Sequence, residues 1–268
     1  MRRDVADVAL ADKVFAPHYA LPLDHGCIAT TVAIRGEPSP DAPAISELLR
    51  GETFAVVDAS GTWAWGYGRA DGYVGYVPIA ALGPVVVASH IVAQPAALLF
   101  TAADIKSPVI ERLPMGARVF ATGIAGDFLA LETGFVHHRH VAAIGQIEPD
   151  PVATAARLIG TPYRWGGRSG DGVDCSGLVQ LALAFAGIAA PRDSDQQREA
   201  LGTALAEDTP LRRGDLIFLP GHVGFMADDR TLLHANAYWM AVTQEPLADV
   251  LARQPEDKGV IARRRIGA

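Results

Sequence analysis

Asp171-Gly172-Val173-Asp174-Cys175-Ser176-Gly177-Leu178-Val179-Gln180 is the stretch whose reading decides the C-terminal fold. It begins as a glycine-rich turn and continues as Leu181-Ala182-Leu183-Ala184-Phe185-Ala186, strong helix formers closed by Gly187. A helix is expected to start at Asp174, an N-capping residue type, and to stop at the glycine. Cys175 then lies in the first turn. Unpaired backbone N–H groups and the positive end of the helix dipole favour a thiolate there. A free thiol titrates near ~8.5, so the placement reads as an activating device.

A nucleophile needs a base. Leu216-Ile217-Phe218-Leu219 reads as a buried strand, Pro220-Gly221 as a tight turn and His222-Val223-Gly224-Phe225-Met226 as the returning strand. His222 opens that strand. Thr231-Leu232-Leu233-His234-Ala235 is a further short strand, and His234 is the expected partner that orients the His222 ring. Cysteine, histidine and a polar third residue, in this order, is the arrangement of a papain-like thiol hydrolase. A lone cysteine reads more simply as an inert core residue. The glycine turn, the helix start and two placed histidines together reverse that preference.

Four segments carry a family resemblance. Thr161-Pro162-Tyr163-Arg164-Trp165-Gly166-Gly167, Asp174-Cys175-Ser176-Gly177-Leu178-Val179, Gly221-His222-Val223-Gly224 and His234-Ala235 resemble the NlpC/P60 family of cell-wall cysteine peptidases. The resemblance implies an α+β papain-like catalytic domain over residues 148–268 with Cys175, His222 and His234 as its catalytic residues. The whole chain also resembles the subgroup with two bacterial SH3-like domains ahead of the peptidase. That subgroup cleaves the γ-D-glutamyl–diamino acid bond of murein peptides bearing a free N-terminal L-alanine, in cell-wall peptide recycling.

The resemblance further implies substrate-binding roles for Tyr163, Trp165, Asp174 and Ser176, and for the polar loop with Arg192, Asp193 and Ser194. Arg192 and Ser194 are expected to hold the α-carboxylate of D-glutamate through charge-assisted bonds. An alanyl ammonium leaving water needs a carboxylate partner. The resemblance points to a tyrosine and an acid of the first barrel, here Tyr73 with Glu47 in preference to Glu52.

Ahead of the catalytic region, residues 1–24 read as an extension. Residues 25–83 read as a small all-β barrel, with Thr53–Val57, Trp63–Tyr67 and Val74–Pro78 as strands between glycine-containing turns. Cys27 is expected inside a strand running to Val32, in a structural role. A weaker copy over 84–147 is suggested by Pro108–Val119, which parallels Pro43–Phe54, and by Gly134-Phe135-Val136, which parallels Gly75-Tyr76-Val77. Both barrels are expected to be SH3-like. Gln146-Ile147-Glu148-Pro149-Asp150-Pro151 reads as a linker. A first helix is expected over Val152–Ile159.

The 268 residues are 50% hydrophobic and 20% charged, with a net charge of −7, which is ordinary globular composition. The negative balance argues against a nucleic-acid groove and against binding to anionic lipid. No apolar run approaches the ~18 residues of a transmembrane helix. Asp4, Asp7, Asp12 and Lys13 interrupt any secretory h-region, so a cytoplasmic location is expected. Two cysteines are too few for a disulfide framework. His137-His138-Arg139-His140, read as strand, places only His138 and His140 on one face, and no metal or organic cofactor is expected. A thiol acyltransferase and a non-catalytic murein-peptide-binding module on the same fold are the competing readings. Oligomeric state and the choice between diaminopimelate and lysine leave no mark in the sequence.

Overall fold

The computed structural model describes residue 2, residues 4–255 and residues 258–267. Internal contacts divide the chain into two compact units, residues 1–144 and 145–268.

The first unit is built of strands. Val5–Asp7 and His18–Ala20 pair in parallel near its start. Seven strands then form one antiparallel sheet in the order Ala44–Leu49, Thr31–Arg35, Val74–Pro78, Trp63–Gly68, Thr53–Ser60, Leu23–Cys27 and Leu82–Gly83. Its core gathers Cys27, Ile34, Leu48, Phe54, Ala64 and Val77. Cys27 ends one strand and Thr31 begins the next, so the continuous strand expected from Cys27 to Val32 is broken in the middle. The chain turns there so that Leu23–Cys27 and Thr31–Arg35 pair with different neighbours.

A second strand module follows. Five strands are ordered Val109–Pro114, Ala96–Phe100, Gly134–His137, Phe128–Leu131 and Gly123–Ala125. Three more, Arg118–Val119, His90–Val92 and Val141–Ala143, form a smaller sheet. Both surround Val92, Ala97, Leu113, Ala117 and Val136. Its turn chemistry repeats that of the first module. Cys27 N–H donates to Glu52 O and Gly51 N–H to Cys27 O, each at 2.8 Å. Val92 N–H donates to Ala117 O at 2.8 Å and Gly116 N–H to Val92 O at 2.9 Å. Each position is displaced by the same interval that relates Pro43–Phe54 to Pro108–Val119. His138–His140 is a 3-10 turn, and the His137 ring lies 4.9 Å from that of His138 and 5.9 Å from that of His140. The strand alternation expected for these histidines does not apply.

The second unit joins helices to an antiparallel sheet. Helix α1, Pro151–Ala156, is capped by Asp150, whose Oδ1 accepts from Val152 N–H at 2.9 Å. It is shorter than the expected Val152–Ile159, because turn bonds replace the helical ladder from Arg157 to Thr161. Helix α2, Cys175–Phe185, is followed by α3, Ser194–Ala200. The strands are β1 (Thr203–Ala204), β2 (Asp215–Leu219), β3 (His222–Met226), β4 (Thr231–Asn236), β5 (Ala241–Pro246) and β6 (Ala262–Arg265). Helix α4, Leu247–Ala252, follows β5. The sheet order is β1-β6-β2-β3-β4-β5.

Helix α2 is apolar around most of its circumference, which suits a central element. Leu178, Val179 and Leu183 are each 0% exposed. Burial of side chains of this size contributes about 1.5–3 kcal/mol apiece. Among the described residues, no helix is long and apolar enough to cross a membrane.

Candidate active site

Asp174 caps α2 as its sequence suggests, its Oδ1 accepting from Gly177 N–H at 2.8 Å. Gly187 stops the helical region with φ +74°. Gly177 is required by a close approach: a Cβ there would stand 2.2 Å from the Gly167 carbonyl oxygen. The Asp-Cys-Ser-Gly spacing therefore encodes a cap, a nucleophile in the first turn and a seat for the Gly166–Gly167 turn.

Cys175 is buried, 6% exposed, with the backbone N–H groups of Val223 and Ser176 favouring its thiolate. Val223 follows His222, so the first residues of β3 lie beside the sulfur. Burial outweighs those donors and, with the Asp174 charge, pushes the thiol up to about 11. Burial likewise pushes His222 down to about 3, assisted by His234. The Ser176 N–H at the helix start favours the thiolate, as the sequence suggests, while burial acts in the opposite direction. A raised thiol and a lowered imidazole favour the neutral forms of both groups in the free protein.

The His222 Nε2 atom is 2.7 Å from His234 Nδ1, with the two rings inclined at 74°. That engagement leaves Nδ1 as the His222 ring nitrogen not bonded to His234. His234 is 1% exposed, and its Nε2 lies 2.9 Å from Glu245 Oε1. The other carboxylate oxygen accepts from Arg253 Nη2 at 2.6 Å and from Trp239 Nε1 at 3.3 Å. Burial raises the Glu245 carboxyl, yet hydrogen bonds from Arg253, His234 and Trp239 hold it below its ordinary value. Asn236 is fixed nearby: its Oδ1 accepts from Trp239 N–H, and its Nδ2 donates to Thr243 Oγ1, both at 2.8 Å.

Glu245, Asn236, Trp239 and Arg253 were not legible as site residues. The available signal is strand parity. His234 pairs with Thr243 across β4 and β5, and Glu245, two residues beyond Thr243, shares that face.

Tyr163 is half-buried beside this centre. Burial and the nearby Cys175 and Asp174 push its phenol up to about 12, so it remains a hydrogen-bond donor at neutral pH. Trp165 is exposed on the following turn.

Arg192, expected to face the glutamyl α-carboxylate, is buried against Asp174. Its side chain is only 1% exposed. It donates to both Asp174 oxygens, at 2.9 Å and 2.5 Å, and to Ser176 Oγ at 2.9 Å. Asp174 also accepts from Gly166 N–H at 2.9 Å, and Ser176 Oγ donates to Asp174 Oδ1 at 3.3 Å. Arg192, Asp174 and Ser176 thus form a closed polar knot beneath the α2 N-terminus. The Arg192 guanidinium is engaged by the Asp174 carboxylate and by Ser176. Asp193 is the N-cap residue of α3 and Ser194 its first residue, both partly exposed.

Glu47 and Tyr73 belong to the first unit. Glu47 is buried on the strand Ala44–Leu49, and Tyr73 is partly buried just before Val74–Pro78. Glu52 closes its own turn by accepting from Leu49 N–H at 2.9 Å.

A helix-borne thiol met by the N–H of Val223, next in sequence to a histidine held by a second histidine, is an arrangement suited to thiol chemistry. Residues 160–254 match the model of the NlpC/P60 family, and residues 34–82 match that of the bacterial dipeptidyl-peptidase Sh3 domain. The chain thus carries a segment that matches the NlpC/P60 family, preceded in sequence by one that matches a bacterial SH3 domain.

It is 33% identical over 138 residues to dipeptidyl-peptidase 6 of Lysinibacillus sphaericus, a match covering 50% of this chain and 49% of that protein. The chain therefore spans about half the length of that relative. It is 27% identical over 239 residues to a gamma-D-glutamyl-L-lysine dipeptidyl-peptidase of Bacillus cereus, covering 75% of this chain and 70% of the relative. A solved NlpC/P60 family protein from Bacillus cereus superposes with a TM-score of 0.75 at 20% identity, covering 91% of this chain and 99% of that one, and shares its fold.

Proposed function

We propose that this protein is a cysteine endopeptidase that hydrolyses the γ-D-glutamyl–diamino acid bond of murein-derived peptides carrying a free N-terminal L-alanine. The observation that carries the reading is that Cys175, at the start of α2, is met by the backbone N–H of Val223, the residue after His222, whose ring is hydrogen-bonded to His234. The name of the Bacillus cereus relative, alike over 75% of this chain, supports the choice of bond. We place the reaction in the cytoplasm, in recycling of cell-wall peptides, and read residues 84–147 as a second SH3-like domain because the turn bonds of the first recur there.

In the reaction, Nδ1 of His222 takes the proton from Cys175 as the sulfur attacks the γ-carbonyl carbon of D-glutamate. Free N–H groups at the start of α2 and the Tyr163 phenol stabilise the oxyanion. The His222 imidazolium then gives its proton to the leaving amine of the diamino acid, and a thioester remains. Water, deprotonated by the same nitrogen, attacks that thioester and releases L-Ala-D-Glu and free thiol. Neither a metal nor an organic cofactor enters these steps.

The test is mass spectrometry of L-Ala-γ-D-Glu-diaminopimelate and its lysine counterpart, each with free and with N-acetylated alanine. Release of L-Ala-D-Glu from the free peptides alone is the expected result. Cleavage of blocked and free peptides alike overturns the requirement for a free alanine, and no cleavage of any of them overturns the peptidase.

A further inference from the structure

We infer that Glu245 is the positioning residue that sets the proton arrangement of both site imidazoles, and so decides which nitrogen of His222 is the base. This rests on the peptidase reading, but its first readout needs no substrate. The chain of bonds has one consistent solution. The Glu245 carboxylate is ionised and only accepts, so His234 must present Nε2–H to it. His234, neutral because burial lowers its proton affinity, then has a bare Nδ1. That atom accepts from Nε2–H of His222 across 2.7 Å, which leaves the lone pair of His222 on Nδ1, where the thiol needs it.

Among the described residues, the polar groups against the carboxylate agree with this arrangement. His234 lies on Oε1; Arg253 Nη2 and Trp239 Nε1 both donate to Oε2. The Asn236 Nδ2 atom gives one hydrogen to Thr243 and stands 3.2 Å from His234 Nε2, farther than the Glu245 carboxylate oxygen at 2.9 Å. A charged acceptor at 2.9 Å outcompetes it for that edge of the ring.

The amide isostere gives a sharp test. In Glu245→Gln, two donors at the Oε2 position hold the amide oxygen there, and the NH₂ group faces His234 Nε2. His234 must then carry its proton on Nδ1, His222 must accept with Nε2, and the base nitrogen is protonated. The shape is kept and the direction of the relay reversed. In the Ser-His-Asp triad, replacing the carboxylate by an amide costs roughly 10⁴ in turnover through the wrong tautomer.

The experiment is ¹⁵N NMR of the histidine side chains in the full-length protein, with iodoacetamide alkylation of Cys175 followed by peptide mapping across pH. In the wild type, His222 is expected as the Nε2–H form with an unprotonated Nδ1. In Glu245→Gln, the His222 signals should exchange roles, alkylation at neutral pH should slow about tenfold, and kcat should fall about a hundredfold or more, with KM nearly unchanged. A purely structural role would leave the isosteric variant near wild type, and that result overturns the inference. A wild-type His222 protonated on Nδ1 overturns it without any variant. Tautomers that exchange as expected in a protein that cleaves no peptide uphold the inference and reject only the peptidase reading.

Discussion

His222 Nε2 and His234 Nδ1 stand 2.7 Å apart, and His234 is almost wholly enclosed. A short contact between two ring nitrogens requires one to donate and the other to accept, so the pair cannot be doubly protonated without repulsion. Removing His234 leaves the His222 ring free to rotate about χ2. His234→Ala is expected to lower kcat about a hundredfold or more while shifting KM little, as steady-state kinetics on the dipeptidyl substrate would report.

Cys175 supplies the sulfur for the whole scheme, and its side chain is small. Cys175→Ala is expected to abolish turnover and to leave the melting profile close to wild type. Cys27 offers an internal control. Burial pushes its thiol up to about 12, and its Sγ donates to Ala29 O at 3.4 Å. Alkylation of the native protein should mark Cys175 well before Cys27, and preferential labelling of Cys27 would contradict the assignment.

Acid should destabilise the catalytic unit through His222. Unfolded, this histidine takes up a proton near its ordinary value of 6.5; folded, burial delays uptake to about 3. Between those values the unfolded chain binds more protons, so stability falls as pH drops from 6.5 towards 3 and is unaffected by this group above 6.5. Partial exposure of the ring trims the effect to a few kcal/mol, on the order of one to three pKa units. His222→Gln should flatten the acid limb of stability measured by urea titration. An unchanged acid limb would show that other groups carry it.

Arg192 and Asp174 form a buried ion pair with side-chain exposures of 1% and 8%. Pairs of this kind resist removal of one partner, because the other charge is left buried and unmatched, at a cost of about 3–5 kcal/mol. Arg192→Met should lower the unfolding free energy of the catalytic unit by that amount, read from urea titration. If stability is kept and only KM for peptides with an intact glutamyl α-carboxylate rises, the guanidinium serves substrate instead.

The contrast between Arg192 and Cys175 shows what was readable in the chain. Cys175 was legible because its cap, its helix and Gly177 are neighbours in sequence, and local spacing carries that information. Arg192 looked like a cation offered to an anion, whereas the fold brings it to Asp174 across the α2–α3 connection. Glu245 depends on the register of β4 against β5, set by a turn through Tyr238 and Trp239 in which Met240 takes φ +52° without being glycine. No turn signature announces that reversal, and the register, with the carboxylate it delivers, became visible only in three dimensions. In the first unit, turn residues and short apolar strands exposed the barrel pattern, while the break between Cys27 and Thr31 lacks a glycine or proline to mark it.

Gly224 offers a test of how tightly the second histidine is held. A Cβ at this position would lie 2.9 Å from His234 Cβ, 3.0 Å from Leu233 O and 3.1 Å from a Leu232 methyl. Backbone on one side and the imidazole stem on the other leave the stem as the part that moves. Overpacking of this sort costs about 1–3 kcal/mol. A displaced His234 loses its alignment with both His222 and Glu245, so Gly224→Ala should depress kcat more than its loss of stability explains. Gly214 is the control. Its φ of +90° strains any side chain, but nothing lies within 4 Å of the added carbon. Gly214→Ala should therefore cost about 1–2 kcal/mol of stability and leave kcat unchanged. Equal losses of kcat in the two variants, measured well below their melting temperatures, would mean that backbone strain, and not the position of His234, controls turnover.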